Sequence, residues 1–234
     1  MFTNQTAVAD IVREHYQAAQ VLEKYGVDFC CKGNRPLDEA CREKRIDTNE
    51  VLKEIEQSVQ YLGNETDRYE NWSLEVLTDY IIQRHHYFIR KKSELLLQEV
   101  AKVSIQHGDV YPETIEIAEY LWMLIDELQE HMTEEETIVF PLVRQIAHGK
   151  KIETDLEAMI YKLEGDHYEV DHWLEKIREL SNNFTPPERA CTTHRELYAE
   201  LRALEKDLHI HVHLENNILF PKAIEMSKVL KTGV

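Results

Sequence analysis

The chain has 234 residues, 44 acidic against 27 basic, giving a formal net charge of −17, with 43% hydrophobic residues but only 7 glycines and 6 prolines. That acidity argues against a nucleic-acid or anionic-membrane partner, and so few Gly and Pro leave little room for the frequent turns of an all-β fold. No run approaches the roughly 20 apolar residues of a membrane span, and no basic region followed by an apolar segment opens the chain, so a reducing cytoplasm with four free thiols is the expected setting.

Helical patterning begins around Thr6–Lys24 and stops at Tyr25-Gly26, where glycine suits a helix end. A tight segment follows, Asp28-Phe-Cys30-Cys31-Lys-Gly33-Asn-Arg-Pro36. Short helices are expected at Leu37–Lys44 and Asp47–Leu62, the second capped by Asp47 or Thr48. The polar stretch from Gly63 to Asn71 reads as a linker, so the chain divides into a small helical domain, residues 1–65, and a larger one, 66–234.

From Ser73 the pattern changes to four long amphipathic segments near 73–100, 112–147, 152–182 and 187–230. Pro112 suits the first turn of the second. Gly149 separates the second from the third, and Asn182-Asn183-Phe-Thr-Pro186-Pro187 breaks the third from the fourth. The fold expected is therefore all-α, with an up-down four-helix bundle after the small domain.

One pattern is written twice in that bundle. His131-Met-Thr-Glu-Glu135-Glu-Thr-Ile-Val-Phe140-Pro141 returns as His211-Val-His-Leu-Glu215-Asn-Asn-Ile-Leu-Phe220-Pro221. A histidine and a glutamate four residues apart share one helix face, with Cβ atoms roughly 5–6 Å apart. Leu124, Leu128, His131, Glu135, Ile138 and Leu142 form one core-facing stripe, and Leu204, Leu208, His211, Glu215 and Ile218 form its counterpart. A buried carboxylate is costly unless it is paired or bound to metal. The third segment carries His167 inside Ile160, Leu163, Val170, Leu174 and Ile177, and the first carries His86 with Ile82, Ile89 and Leu96, although His85 could be the inward one. His86 to His131 spans 45 residues and His167 to His211 spans 44, so the bundle reads as two similar hairpins.

Four imidazoles and two carboxylates exceed the four ligands of a tetrahedral zinc. They suit two iron or manganese ions, two histidines on each, bridged by the carboxylates with room for an oxo or hydroxo bridge. Ferritin-like bundles use Glu-x-x-His pairs and more glutamates, so this richer imidazole set points to hemerythrin-like iron chemistry. Glu134 and Glu136 then fall on a solvated acidic face. His107, followed by Gly108-Asp109 after the first segment, is an additional candidate ligand or acid/base, against the plainer reading of a surface residue. His209 and His213 are expected at the surface, and His15, His148, His172 and His194 have no spacing to recommend them. Trp122, Tyr161 and Trp173 read as core or interface. Cys30 and Cys31 are either small buried hydrophobes or a redox or metal-transfer thiol pair; Cys41 and Cys191 read as structural.

These residues together resemble the RIC proteins (repair of iron centres), hemerythrin-like di-iron proteins with an ScdA-type amino-terminal domain. The resemblance rests on Tyr25-Gly-Val-Asp-Phe-Cys-Cys-Lys-Gly33, Leu37-Asp-Glu-Ala40, Arg84-His-His86, the two His-x-x-x-Glu copies through Phe-Pro, and Thr185-Pro-Pro-Glu-Arg-Ala-Cys-Thr-Thr193. Lys32 departs from the glycine common after the paired cysteines in that family. The resemblance implies two non-haem irons, oxo- and carboxylate-bridged, on His86, His131, Glu135, His167, His211 and Glu215, choosing His86 over His85. It implies repair of iron–sulfur clusters damaged by nitric oxide or peroxide, by iron donation or by reaction with nitric oxide, with involvement of Cys30 and Cys31. Damaged iron–sulfur proteins, an electron donor and a second copy in a homodimer are the partners it implies. The rival reading is an oxygen or nitric oxide carrier or sensor of hemerythrin type, without turnover.

Overall fold

Helices supply the regular structure of this computed structural model, which describes residues 2–62 and 69–232; the strand-like pairing given among them is one bridge, Ala7 to Pro36. In chain order they are α1 (Val8–Glu14), α2 (Ala18–Lys24), α3 (Leu37–Lys44), α4 (Thr48–Leu62), α5 (Leu74–Tyr80), α6 (Tyr87–His107), α7 (Glu113–Glu134), α8 (Phe140–Ala147), α9 (Leu156–Leu180), α10 (Thr192–Leu214) and α11 (Phe220–Thr232). The expected linker at 63–71 lies outside the described residues as far as 68, and Tyr69–Asn71 is a 3₁₀ turn.

One compact unit comprises Met1–Thr78, Val143–Ile152 and His209–Val234. The single helix expected over 6–24 is two, because the chain turns extended at His15 (φ −140°) before α2. Gly26 ends α2 at φ +65°, a left-handed conformation that glycine adopts without a Cβ penalty. Asp47 Oδ1 accepts the Asn49 N–H at 2.9 Å to cap α4, and Ser73 Oγ accepts the Val76 N–H at 3.2 Å to start α5.

The second unit, Asp79–Leu142 and Glu153–Leu208, is the bundle. There α6, α7, α9 and α10 as far as Leu208 bury Ile89, Leu96, Leu121, Leu124, Leu128, Leu174, Ile177 and Leu204 in one core. Each such side chain contributes roughly 1.5–3 kcal/mol by leaving water. The third expected segment ends at Leu180, ahead of the prolines: Asn182, Asn183 and Phe184 all take left-handed backbone, and Arg202 holds that turn by donating to the Asn183 carbonyl at 2.6 Å. Trp122 and Tyr161, expected as core or interface, are 57% and 79% exposed.

Among the described residues three stretches are π-helical: Ile81–His86, Glu135–Val139 and Glu215–Leu219. A π turn inserts one residue into a helix and moves everything beyond it around the axis. After Glu135 the buried residues are accordingly Val139, Phe140, Val143 and Ile146, while Ile138 is half exposed and Leu142 only half-buried. Before His86 it is Ile81 that is buried rather than Ile82. The uniform stripe expected through Ile138 and Leu142 is thus offset by one residue.

Candidate metal centre

Every π stretch begins or ends on a candidate ligand. His86 closes the first, Glu135 opens the second one turn after His131, and Glu215 opens the third one turn after His211. Within the bundle unit, Glu135 is fully buried between two imidazoles. Its Oε2 lies 3.3 Å from His86 Nε2 and its Oε1 lies 3.3 Å from His131 Nε2. His167 Nε2 lies 3.0 Å from His131 Nε2. One donor atom each of His131, Glu135 and His167 falls within 4.8 Å of the others, and Glu135 stands in the same relation to His86.

Outer partners set which nitrogen faces inward. His86 Nδ1 meets Glu136 Oε1 at 2.6 Å, and His131 Nδ1 meets Asp166 Oδ2 at 3.3 Å. A carboxylate can only accept, so both Nδ1 atoms carry hydrogen and both Nε2 atoms are left to point at Glu135. Phe140 stacks on His86 at 5.8 Å and fixes its ring. Burial works against ionisation of Glu135, and the His131 and His86 imidazoles outweigh it, holding the carboxyl well below its usual range. Neither Glu135 oxygen makes a hydrogen bond of sound geometry. The carboxylate therefore needs positive charge on both sides, which either protons on the imidazoles or metal ions supply. Three inward imidazole nitrogens around a two-sided carboxylate fit metal ions better than two neighbouring protons, which would repel across 3.0 Å.

In the other unit, His211 Nε2 lies 3.0 Å from Glu215 Oε1, with both side chains buried. The cysteine segment belongs to this unit as well. Asp28 ties it into a turn by accepting the backbone N–H of Cys30 and Cys31 at 3.0 Å each and of Lys32 at 3.2 Å. Lys32 therefore contributes its backbone to this turn. Gly33 is needed for space, since a Cβ there would stand 2.4 Å from the Phe29 carbonyl oxygen. Cys30 is buried, Cys31 is partly exposed, and their sulfurs are 3.8 Å apart.

Several expectations change here. Glu136, expected on a solvated face, orients His86 and takes Arg90 at 2.8 Å; Glu134 pairs with Lys162. His85 is buried but bonds Asp207 Oδ2 at 3.0 Å, away from Glu135's imidazoles. His213, expected at the surface, is buried against Asn217 Nδ2 at 3.2 Å, and His209 is half-buried, 3.8 Å from Glu23. His107 ends α6 twenty-one residues beyond His86, roughly 30 Å along the helix. It stands beside Tyr111 and the buried His194 rather than with the ligand candidates. Cys41 is buried in α3 and Cys191 is partly exposed. Glu136, Asp166 and His213 had no sequence signal beyond their nearness to the motifs.

Residues 77–223 match the hemerythrin HHE cation-binding domain, and residues 4–59 match ScdA_N, a domain of unknown function (DUF542). The iron-sulfur cluster repair protein ScdA of Staphylococcus haemolyticus (strain JCSC1435) is 34% identical over 223 residues, covering 95% of this chain and 99% of that protein. The iron-sulfur cluster repair protein YtfE of Escherichia coli O8 (strain IAI1) is 34% identical over 215 residues, covering 89% and 91%. The chain belongs to the ScdA/YtfE family of hemerythrin-type proteins. The metal-binding character of this ScdA/YtfE-family chain thus has two independent supports, the matched cation-binding domain and the histidine–carboxylate geometry. Among its described residues no helix is long and apolar enough to cross a membrane.

Proposed function

We propose that this chain holds two iron ions on His86, His131, Glu135, His167, His211 and Glu215, and restores iron–sulfur clusters damaged by nitrosative or oxidative stress. Glu135 carries the reading: it is a fully buried carboxylate whose two oxygens each lie 3.3 Å from a different imidazole nitrogen, so that with His86 and His131 it would hold an ion on either side. The repeated motif supplies Glu215 as its counterpart, and relatives named as iron-sulfur cluster repair proteins support the client class. Bound there, iron would supply redox-active Lewis-acid centres able to take nitric oxide or oxygen, or ions that could be given up to a damaged cluster.

The chain's own part is to hold and orient. Glu136 and Asp166 keep His86 and His131 protonated on Nδ1, so that Nε2 is offered inward, and burial keeps bulk water from the ligands. The proposal assigns residues 1–65 to a thiol-bearing domain and 66–234 to the bundle, in keeping with the two matched segments. It assigns Cys30 and Cys31 a redox or iron-transfer role, and it includes cytoplasmic location, an electron donor and a homodimer.

Metal analysis of protein purified from iron-replete cells tests the centre. About two irons per chain with near-ultraviolet charge-transfer bands is the expected result; one zinc, or no metal, overturns it. The Glu135→Ala, Glu215→Ala double variant should lose iron and repair of nitric-oxide-damaged clusters while keeping its helical circular dichroism. Undiminished repair by that variant would sink the reading.

A further inference from the structure

The two motif copies differ at the positions that hold the cysteine segment. Offset by eighty residues, Thr133 and Thr137 of the first copy correspond to His213 and Asn217 of the second. In the first copy both hydroxyls turn back on their own helix, to the Gln129 and Thr133 carbonyls at 2.7 Å. In the second copy the side chains reach away from it. Asn217 Nδ2 donates to the Cys30 carbonyl at 3.1 Å and to the Phe29 carbonyl at 3.4 Å, and His213 also bonds the Phe29 backbone. The Phe29 ring packs edge-on against His209 and His213, 6.0 and 5.7 Å between centroids. All of these groups lie in one unit, and His213 and Asn217 each stand two residues from a candidate ligand.

We propose that His213 and Asn217 are positioning residues that dock the Cys30–Cys31 segment on the helix turn carrying His211 and Glu215, so that thiol exposure follows occupancy of the iron site. The inference rests on the iron site proposed above. Ligation by His211 and Glu215 fixes the backbone turn from which His213 and Asn217 project; an empty site leaves that turn freer and the cysteine segment less tightly held. By linkage, whatever loosens the cysteine segment also weakens metal binding.

The test is labelling by N-ethylmaleimide, with Cys30 followed by mass spectrometry and buried Cys41 of α3 as the internal monitor of unfolding. Wild type and Asn217→Thr, the first copy's residue, are each compared metal-loaded and chelator-stripped, with iron content measured on every sample. Cys30 of loaded wild type should react about tenfold more slowly than that of stripped wild type, the scale of one buried hydrogen bond. Asn217→Thr, brought to the same iron content as wild type with excess ferrous iron, should lose most of that protection. Equal rates for loaded and stripped wild type overturn the proposal, as does protection retained in Asn217→Thr. Should the chain take up no metal, the iron reading is what fails. Docking is then judged on stripped wild type against Asn217→Thr, where equal rates overturn it. If Cys41 reacts in parallel in the variant, unfolding is the cause, and the wild-type pair together with His213→Gln decides.

Discussion

Neutral His213 lies buried beside Asn217, and burial pushes its pKa down from 6.5 to about 4. The Phe29 backbone hydrogen bond opposes that shift only partly. The unfolded chain takes up this proton near pH 6.5, whereas the folded chain accepts it only near 4. The contribution is therefore complete above the unfolded value and is lost as pH falls between the two, by an amount on the order of 3 kcal/mol. Thermal midpoints measured from pH 7 to 4 should fall more steeply for wild type than for His213→Gln; parallel curves would refute the assignment. A histidine two residues from the nearest positions of a helical stripe looks like a surface residue in the sequence. Only the neighbouring backbone of Phe29 and Cys30 makes this one interior.

At the scale of the element, the π stretch Glu135–Val139 decides how Glu135 is aimed relative to His131 and to the residues beyond it. Its extra residue is costly as helix geometry and persists where function requires it. Deleting exposed Thr137 should convert the stretch to ordinary α-helix while leaving Val139, Phe140 and Val143 facing the core. Circular dichroism and thermal midpoint should then be unchanged or improved, while iron content falls clearly below two per chain. Full iron content in the deletion variant would show that the π geometry is dispensable. The amphipathic pattern placed the helical runs α5–α6, α7–α8, α9 and α10–α11 to within a few residues at most ends, because a 3.6-residue period survives any later packing choice. It could not reveal the offset, because periodicity tells which face is apolar and not where one residue is inserted.

For the whole molecule, metal should be a component of stability. Anything that binds only the folded chain stabilises it by mass action, about 2.7 kcal/mol at a hundredfold excess over its dissociation constant. In a chain of this size that corresponds to a midpoint shift on the order of 5–10 °C. Stripping the protein with a chelator should lower the midpoint by about that much, and re-adding ferrous iron should restore it. A midpoint indifferent to the metal would mean that protons alone balance the charge of Glu135.

Much of the candidate site was legible before any coordinates. The repeat of His131/Glu135 at His211/Glu215, and lone histidines at matching steps, are properties of spacing along one chain, and helix geometry converts such spacing directly into a shared face. The all-helical architecture was legible for the same reason. Tertiary structure alone decided that Glu136 and Asp166 orient the imidazoles, that His85 turns to Asp207, that His107 stands apart, and that Asn217 holds the cysteine segment. Those pairings join residues from 35 to 188 positions apart. No local period encodes them; they exist only once packing has brought separate helices and loops within hydrogen-bond reach.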